Sequence, residues 1–260
     1  MLLDQQLSLV CLVETRVRKT NTPLVVNSIF KNWDILDNYS SHDIGRIWVG
    51  WYPRILKISK ISETDQIIHC LACILDSNDQ FNISFVYGSN DERARRALWD
   101  NMCVFQHGGT PWIIVRDFNV SRRVQESVGG SSKISVAMEK FDNCLQSVEL
   151  DDLRFSGFLH TWCNKRSNGC ISKKLDRVLV NKERMAKFEH SEAFFLPPSI
   201  SDHIPSLQSP AHSKGNEPTL NQGEVFEDLK DASSYTGLLL LMILSFKEVA
   251  ANGSMMAVEV

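Results

Sequence analysis

The hydrophobic positions of the chain fall into short runs rich in β-branched and aromatic residues, each closed by a polar cluster. Residues 7–13, Leu-Ser-Leu-Val-Cys-Leu-Val, form one such run and stop at Glu14. Residues 46–51, 55–59, 67–75 and 81–87 form four more, with Asp76-Ser77-Asn78-Asp79 the clearest turn between them. Runs of this length predict strands, and their close succession predicts a sheet built from hairpins. Trp112-Ile113-Ile114-Val115, bounded by Pro111, predicts a buried strand that hands Asp117 and Asn119 to its end. Thr161-Trp162 and residues 175–180 predict two further strands. Helical spacing appears at Ala94, Ala97, Leu98, Met102 and Phe105, with Ser89 or Asn90 as the expected cap, and again at Met138, Phe141, Leu145 and Val148 behind Ser135. A short helix is expected from Asn181 to about Glu189. Residues 21–38 carry no decisive pattern, and no internal repeat is found.

Beyond Leu207 the pattern fades. Residues 209–236 are polar and aperiodic, so the expectation is one domain over residues 7–207 and a divergent, poorly ordered tail over residues 208–260. The apolar stretch 238–246 is far shorter than the ~20 residues of a membrane-spanning helix. A net charge of −3 gives no global sign of a nucleic-acid binder, although local charge matters more. Seven irregularly spaced cysteines and the absence of a basic, apolar leader predict reduced thiols in an intracellular setting. His69-Cys70-x-x-Cys73 lacks a second pair at zinc-ligand spacing and reads as packing within a strand.

The chemistry gathers at strand ends. Glu14, Tyr87, Asp117 with Asn119, Asp176, and Asp202-His203 each follow an apolar anchor. Singly, each is an ordinary strand terminus, and Asp-Phe-Asn alone is an ordinary Asx turn. Together they supply carboxylates for a hard cation, a group to activate water, and donors for charge on phosphorus, which is the inventory of metal-assisted phosphodiester cleavage.

Six blocks stand in a telling order: Glu14-Thr15, Val86-Tyr87-Gly88, Asp117-Phe118-Asn119, Gly157-x-x-x-Thr161-Trp162-x-Asn164, Lys174-Leu175-Asp176-Arg177-Val178-Leu179-Val180-Asn181, and Ser201-Asp202-His203. In this order they resemble the endonuclease/exonuclease/phosphatase (DNase I-like) superfamily, and most closely the endonuclease domain of plant non-LTR (LINE-type) retrotransposons. The resemblance implies an α/β fold, a four-layer α/β sandwich of two mainly antiparallel sheets packed face to face with helices outside. It implies a Mg²⁺ cofactor, with Mn²⁺ as the alternative, DNA as the substrate, nuclear localisation, and neither a membrane nor an obligate protein partner. Glu14 is the implied metal ligand and Asp202 a second metal-side carboxylate. Asp117 would orient or deprotonate the attacking water, and Asn119 would contact the phosphate or position that nucleophile. His203, paired with Asp176, would stabilise charge on the phosphate, and Tyr87 would be a phosphate-side phenol. Thr161 is implied to line the substrate groove, with Asn164, Lys174, Arg122 and Arg123 as further substrate-binding candidates.

Two departures from the family pattern accompany this. Family members begin with another strand whose Asn helps to build the metal site, and this sequence starts after it, so a core strand and a ligand are expected to be lacking. The residue before Asp117 is normally Gly, which permits unusual φ, and here it is Arg116, which is either accommodated or crowds the cleft. The leading expectation is a DNA endonuclease-like domain of LINE origin. The rivals are a catalytically impaired remnant that is inert or a weak nucleic-acid binder, and a phosphatase acting on a small or lipid phosphate.

Overall fold

Most of the apolar runs become strands of two large sheets. In the computed structural model, residues 7–41, 45–106, 108–130, 133–198, 201–209 and 241–245 are described. In chain order the elements are β1 (Leu9–Val13), α1 (Thr22–Ile29), β2 (Asp34–Asp37), β3 (Ile47–Trp51), β4 (Leu56–Glu63), β5 (Ile67–Ile74), β6 (Asp79–Tyr87), α2 (Arg95–Phe105), β7 (Trp112–Asp117), β8 (Ser127–Val128) and α3 (Val136–Ser147). There follow β9 (Asp151–Asp152), β10 (Phe155–Gly157), β11 (Trp162–Cys163), β12 (Ser172–Lys173), β13 (Asp176–Val180), α4 (Lys182–Lys187), β14 (Glu192–Phe195), β15 (Ser206–Ser209) and β16 (Leu241–Ser245). One sheet runs β10-β14-β15-β16-β1-β3-β2, the other β4-β5-β6-β7-β13-β9, and β11-β12-β8 form a small third. Both large sheets are mixed: β1 with β16, β10 with β14 and β6 with β7 pair in parallel, the other pairs antiparallel.

Period-two alternation sorts the core. Leu9, Cys11 and Val13 from one sheet meet Ile83, Phe85, Ile113, Val115 and Val178 from the other in a single buried cluster, so the two sheets face each other. The alternate residues of the second sheet, among them Val86, Trp112, Ile114 and Leu179, pack beneath α2 and α3. Val10, Leu12 and Trp48 pack outward against Val25 of α1 and Phe30. Burying each such side chain is worth about 1.5–3 kcal/mol, so this layering holds the strand ends where they are.

Caps behave unevenly. Ser135 accepts the Met138 amide at 3.2 Å and Asn181 the Arg184 amide at 2.9 Å, as the sequence predicts. Asn181 also accepts the Trp112 amide, tying α4 to β7. Ser89 does not cap α2, which begins at Arg95; its hydroxyl accepts the Asp91 amide and Asp91 accepts that of Arg93, so local side-chain turns replace the first turn of helix. The undecided residues 21–38 supply α1 and β2. Most of the expected tail lies outside the described residues. Its described pieces are residues 208–209, at the end of β15, and β16, which lies between β1 and β15, with Leu9 opposite Leu241 and Ser206 opposite Ile243.

Candidate active site

Strand register alone assembles half of the site. Asp117, the last residue of β7, is paired with Asp176 on one side and Tyr87 on the other, so three polar residues lie abreast at one end of the sheet. The facing sheet supplies Glu14, just after β1, and His203, just before β15. A bridge between Trp162 and His203 and an amide bond from Ile204 to the Thr161 carbonyl seat the histidine loop on β11.

The centre is a buried relay. His203 Nδ1 lies 2.9 Å from Asp176 Oδ2, and its Nε2 lies 3.8 Å from Asp117 Oδ2. One candidate ligand atom from each of these three residues lies within 4.8 Å of the others. Asn119 Nδ2 donates to Asp117 Oδ2 at 3.0 Å and to the Gly88 carbonyl at 2.7 Å, while its amide donates to Asp117 Oδ1 at 2.8 Å. The carboxylate is therefore held on both oxygens. Tyr87 donates its hydroxyl to Glu14 Oε1 at 2.7 Å, which joins the two sheets and places the phenol on the Glu14 side of the site.

Burial pushes the Asp117 carboxyl up to about 7; the neighbouring Asp176 charge adds to the rise, and His203 opposes it. For Asp176 the same burial cost is outweighed by His203 and Arg116, and its pKa falls below the usual carboxylate range. Burial disfavours a charged His203, but the carboxylates of Asp176 and Asp117 overcome this and push its pKa up to about 9. Two adjacent acids are thus driven apart, one ionised and one poised near neutrality, with an imidazolium between them.

Arg116 is the residue sequence reasoning left open. Val115 belongs to the sheet–sheet core and Ile114 to the helix side, so regular alternation would send Arg116 toward the helices. Its φ of 110° turns the side chain back, and its guanidinium meets Asp176 Oδ1 at 3.3 Å, with only 1% of the residue exposed. Its Nε and Nη2 are buried and without a partner among the described residues. Glu14 and Asn119, at φ 55° and 52°, are likewise left-handed, so the site concentrates backbone strain.

The other expected residues take different places. Thr161 does not line an open groove: it is fully buried, and its hydroxyl accepts the amides of Leu175 and Asp176 at 2.9 Å each, clamping the start of β13. Asp202 Oδ2 accepts the Trp162 indole N–H at 3.2 Å. Asn164 organises the turn between β11 and β12 through the Ile171 and Arg166 amides. Arg122 and Lys174 both pair with acids of the fold. Arg122 pairs with Asp142 and Asp151, and Lys174, 3% exposed, pairs with Asp152 at 3.1 Å over the Phe155 ring. Arg123 is exposed, with its amide on Glu126.

Gly88, the last residue of the Val86-Tyr87-Gly88 block, has its backbone wedged against the Asp117 turn. Its amide donates to the Asp117 carbonyl at 2.7 Å, and a Cβ there would lie 2.7 Å from the Phe118 carbonyl oxygen. Gly88→Ala is expected to cost about 1–3 kcal/mol, the range for overpacking, and to displace Asn119. Denaturant unfolding with unchanged stability would show that this turn yields.

Neither a protein-family model nor a curated protein matches the sequence. Solved structures match in shape. The endonuclease domain of TRAS1, a telomere-specific non-LTR retrotransposon, superposes with a TM-score of 0.54 at 10% identity, covering 77% of this chain and 96% of that one. Beta toxin from Staphylococcus aureus gives 0.56 at 10% identity over 79% and 87%. Sphingomyelinase C from Streptomyces griseocarneus gives 0.51 at 10% identity over 76% and 85%. Identity this low speaks for architecture alone, and on architecture the chain matches the DNase I-like fold.

Proposed function

We propose that this chain is a divalent-metal-dependent phosphodiesterase of endonuclease type, acting on DNA and derived from a plant LINE-type element. The observation that carries the reading is the Asp176–His203–Asp117 relay. Asp117, with a pKa near 7, is suited to take a proton from an attacking water. Asn119 keeps that carboxylate from turning away. His203 is charged at neutral pH and held by Asp176. Its Nε2, 3.8 Å from Asp117, is too far for a hydrogen bond there and can donate to a phosphate oxygen. Removal of the water proton and stabilisation of the phosphorane charge thus fall to two side chains less than 4 Å apart.

Glu14 would hold Mg²⁺ or Mn²⁺, with Asp202 as the second carboxylate. The donor chemistry fits: Glu14 is a partly exposed carboxylate fixed by the Tyr87 phenol, and Mg²⁺ is commonly held by one or two carboxylates while keeping its waters. Asp117, Asp176 and His203 also bring their ligand atoms within 4.8 Å of one another, but His203 Nδ1 faces Asp176, which leaves its Nε2 for the phosphate in this reading. A bound ion would polarise the phosphoryl oxygens and offset charge in the transition state. The test is relaxation of supercoiled plasmid with Mg²⁺, with and without EDTA. Mg²⁺-dependent nicking supports the reading; activity indifferent to EDTA overturns it.

Arg116 favours a second reading, a weak nucleic-acid binder with impaired cleavage. A buried cation beside Asp176 reduces the negative potential available to a metal ion. Arg116→Gly is expected to strengthen apparent Mg²⁺ binding at least tenfold, because a like charge several Å from a divalent ion contributes more than about 1.4 kcal/mol at an effective dielectric near 20. It also suits the φ of 110°. Nicking titrated against Mg²⁺ checks this; an unchanged half-saturation would mean that Arg116 is not what limits the site.

A further inference from the structure

The turn between β11 and β12 carries two thiols that the phosphodiester chemistry does not use. Cys163 Sγ and Cys170 Sγ lie 3.2 Å apart, the first half-buried and the second exposed. Cys163 pairs with Ser172 across the hairpin, so Cys170, two residues before Ser172, is its diagonal neighbour on the same face. Each is anchored through its backbone. The Cys163 amide donates to the Asp202 carbonyl at 3.0 Å, and the Cys170 carbonyl abuts Gly129, where a Cβ would sit only 2.3 Å away. Of the other five, Cys11, Cys70 and Cys144 are buried; Cys103, near Ser147, neighbours the buried Cys144, and Cys73 lies near Asn78, so only Cys163 and Cys170 stand together with neither sulfur buried.

We propose that Cys163 and Cys170 form a reversible dithiol–disulfide site, oxidised by hydroperoxides, on the hairpin that carries the histidine loop. Cys163 is the attacking sulfur, because the Lys165 backbone amide donates to it at 3.4 Å. Having given up its proton, it attacks one peroxide oxygen. The O–O bond breaks, the departing hydroxide takes up that proton as water, and Cys163 becomes a sulfenic acid. The Cys170 sulfur then attacks the Cys163 sulfur. An S–S bond forms, the S–O bond breaks, and the hydroxyl leaves as a second water with the Cys170 proton. Two thiols lose two electrons and one hydroperoxide gains them. The bond would close the turn holding Lys165 and Arg166 and fix it beside Asp202-His203. This inference is independent of whether the site cleaves DNA.

The experiment uses the reduced full chain treated with one equivalent of hydrogen peroxide, then digested without reductant and mapped by mass spectrometry. The expected result is loss of two titratable thiols, a peptide crosslinked between Cys163 and Cys170, and full recovery with dithiothreitol. In Cys170→Ser the sulfenic acid at Cys163 should persist and be trapped by dimedone. Both thiols remaining alkylatable while another cysteine oxidises would overturn the proposal. So would sulfinic acid at Cys163 with Cys170 still reduced, or a crosslink only between two chains.

Discussion

Asp117→Asn is expected to lower phosphodiester cleavage by about 10²–10⁴-fold, the usual contribution of a positioned general base, and to leave the chain folded. The replacement keeps the shape of the side chain. It also removes a carboxyl whose burial already lifts its pKa to about 7, so the buried site loses a charge it held at a cost. What it gives up is one of the two Asn119 hydrogen bonds, since the amide has a single acceptor oxygen. The loss should fall on kcat. In the unaltered protein, activity should rise with pH through an apparent midpoint near 7 as Asp117 ionises. Asp117→Asn should lose that limb. Plasmid relaxation across pH, with thermal unfolding alongside, separates catalysis from stability. Undiminished cleavage by a well-folded variant would remove Asp117 from the role of base.

Asp176→Ala is expected to be the most destabilising single change at the site, by about 3–5 kcal/mol, because it leaves charged groups buried without their partner. Asp176 is 1% exposed and neutralises two cations, Arg116 at 3.3 Å and His203 at 2.9 Å. The consequence extends to pH. His203 has a folded pKa near 9, above its ordinary value, so the stability it contributes is fully present below about pH 6.5 and is lost as pH rises through 9. The raised pKa of Asp117 acts in the same sense between about 4 and 7, since the folded state binds the proton more tightly. Asp176, lowered, contributes stability that is lost only as pH falls into the acid range. Urea unfolding should therefore show stability declining from pH 5 to pH 9.5, with the upper part of that slope absent in His203→Gln. A flat profile would mean that the imidazole is neutral in the folded protein.

The strands that carry the site were legible because an apolar run ending in a carboxylate is a local pattern. Residues 112–117 could be placed with nothing but their own sequence. Pairing was not legible: that Asp117 stands opposite Asp176 and beside Tyr87 depends on which strands become neighbours, a choice made by distant parts of the chain. The partners of the basic residues were hidden for a related reason. Lys174 and Arg122 look like phosphate contacts in sequence, but the acids that neutralise them, Asp142, Asp151 and Asp152, come from a separate stretch. Arg116 could be flagged at its position, while the direction of its side chain depends on a φ that no residue type reveals.

The seating of β16 has a consequence for how the chain acquires its structure. β1 lies near the start of the described residues and its parallel partner near their end, so the sheet is finished by a contact spanning over 200 positions. Contacts this distant are slow to form, because the closure entropy comes before any reward. During synthesis, β1 and β15 would each present an unpaired edge until Leu241–Ser245 has left the ribosome. Open edges of this kind are templates for pairing with other chains. A chain halted before Leu241 should therefore fail by edge-to-edge aggregation rather than by loss of the β6–β7–β13 strands, which are joined without it.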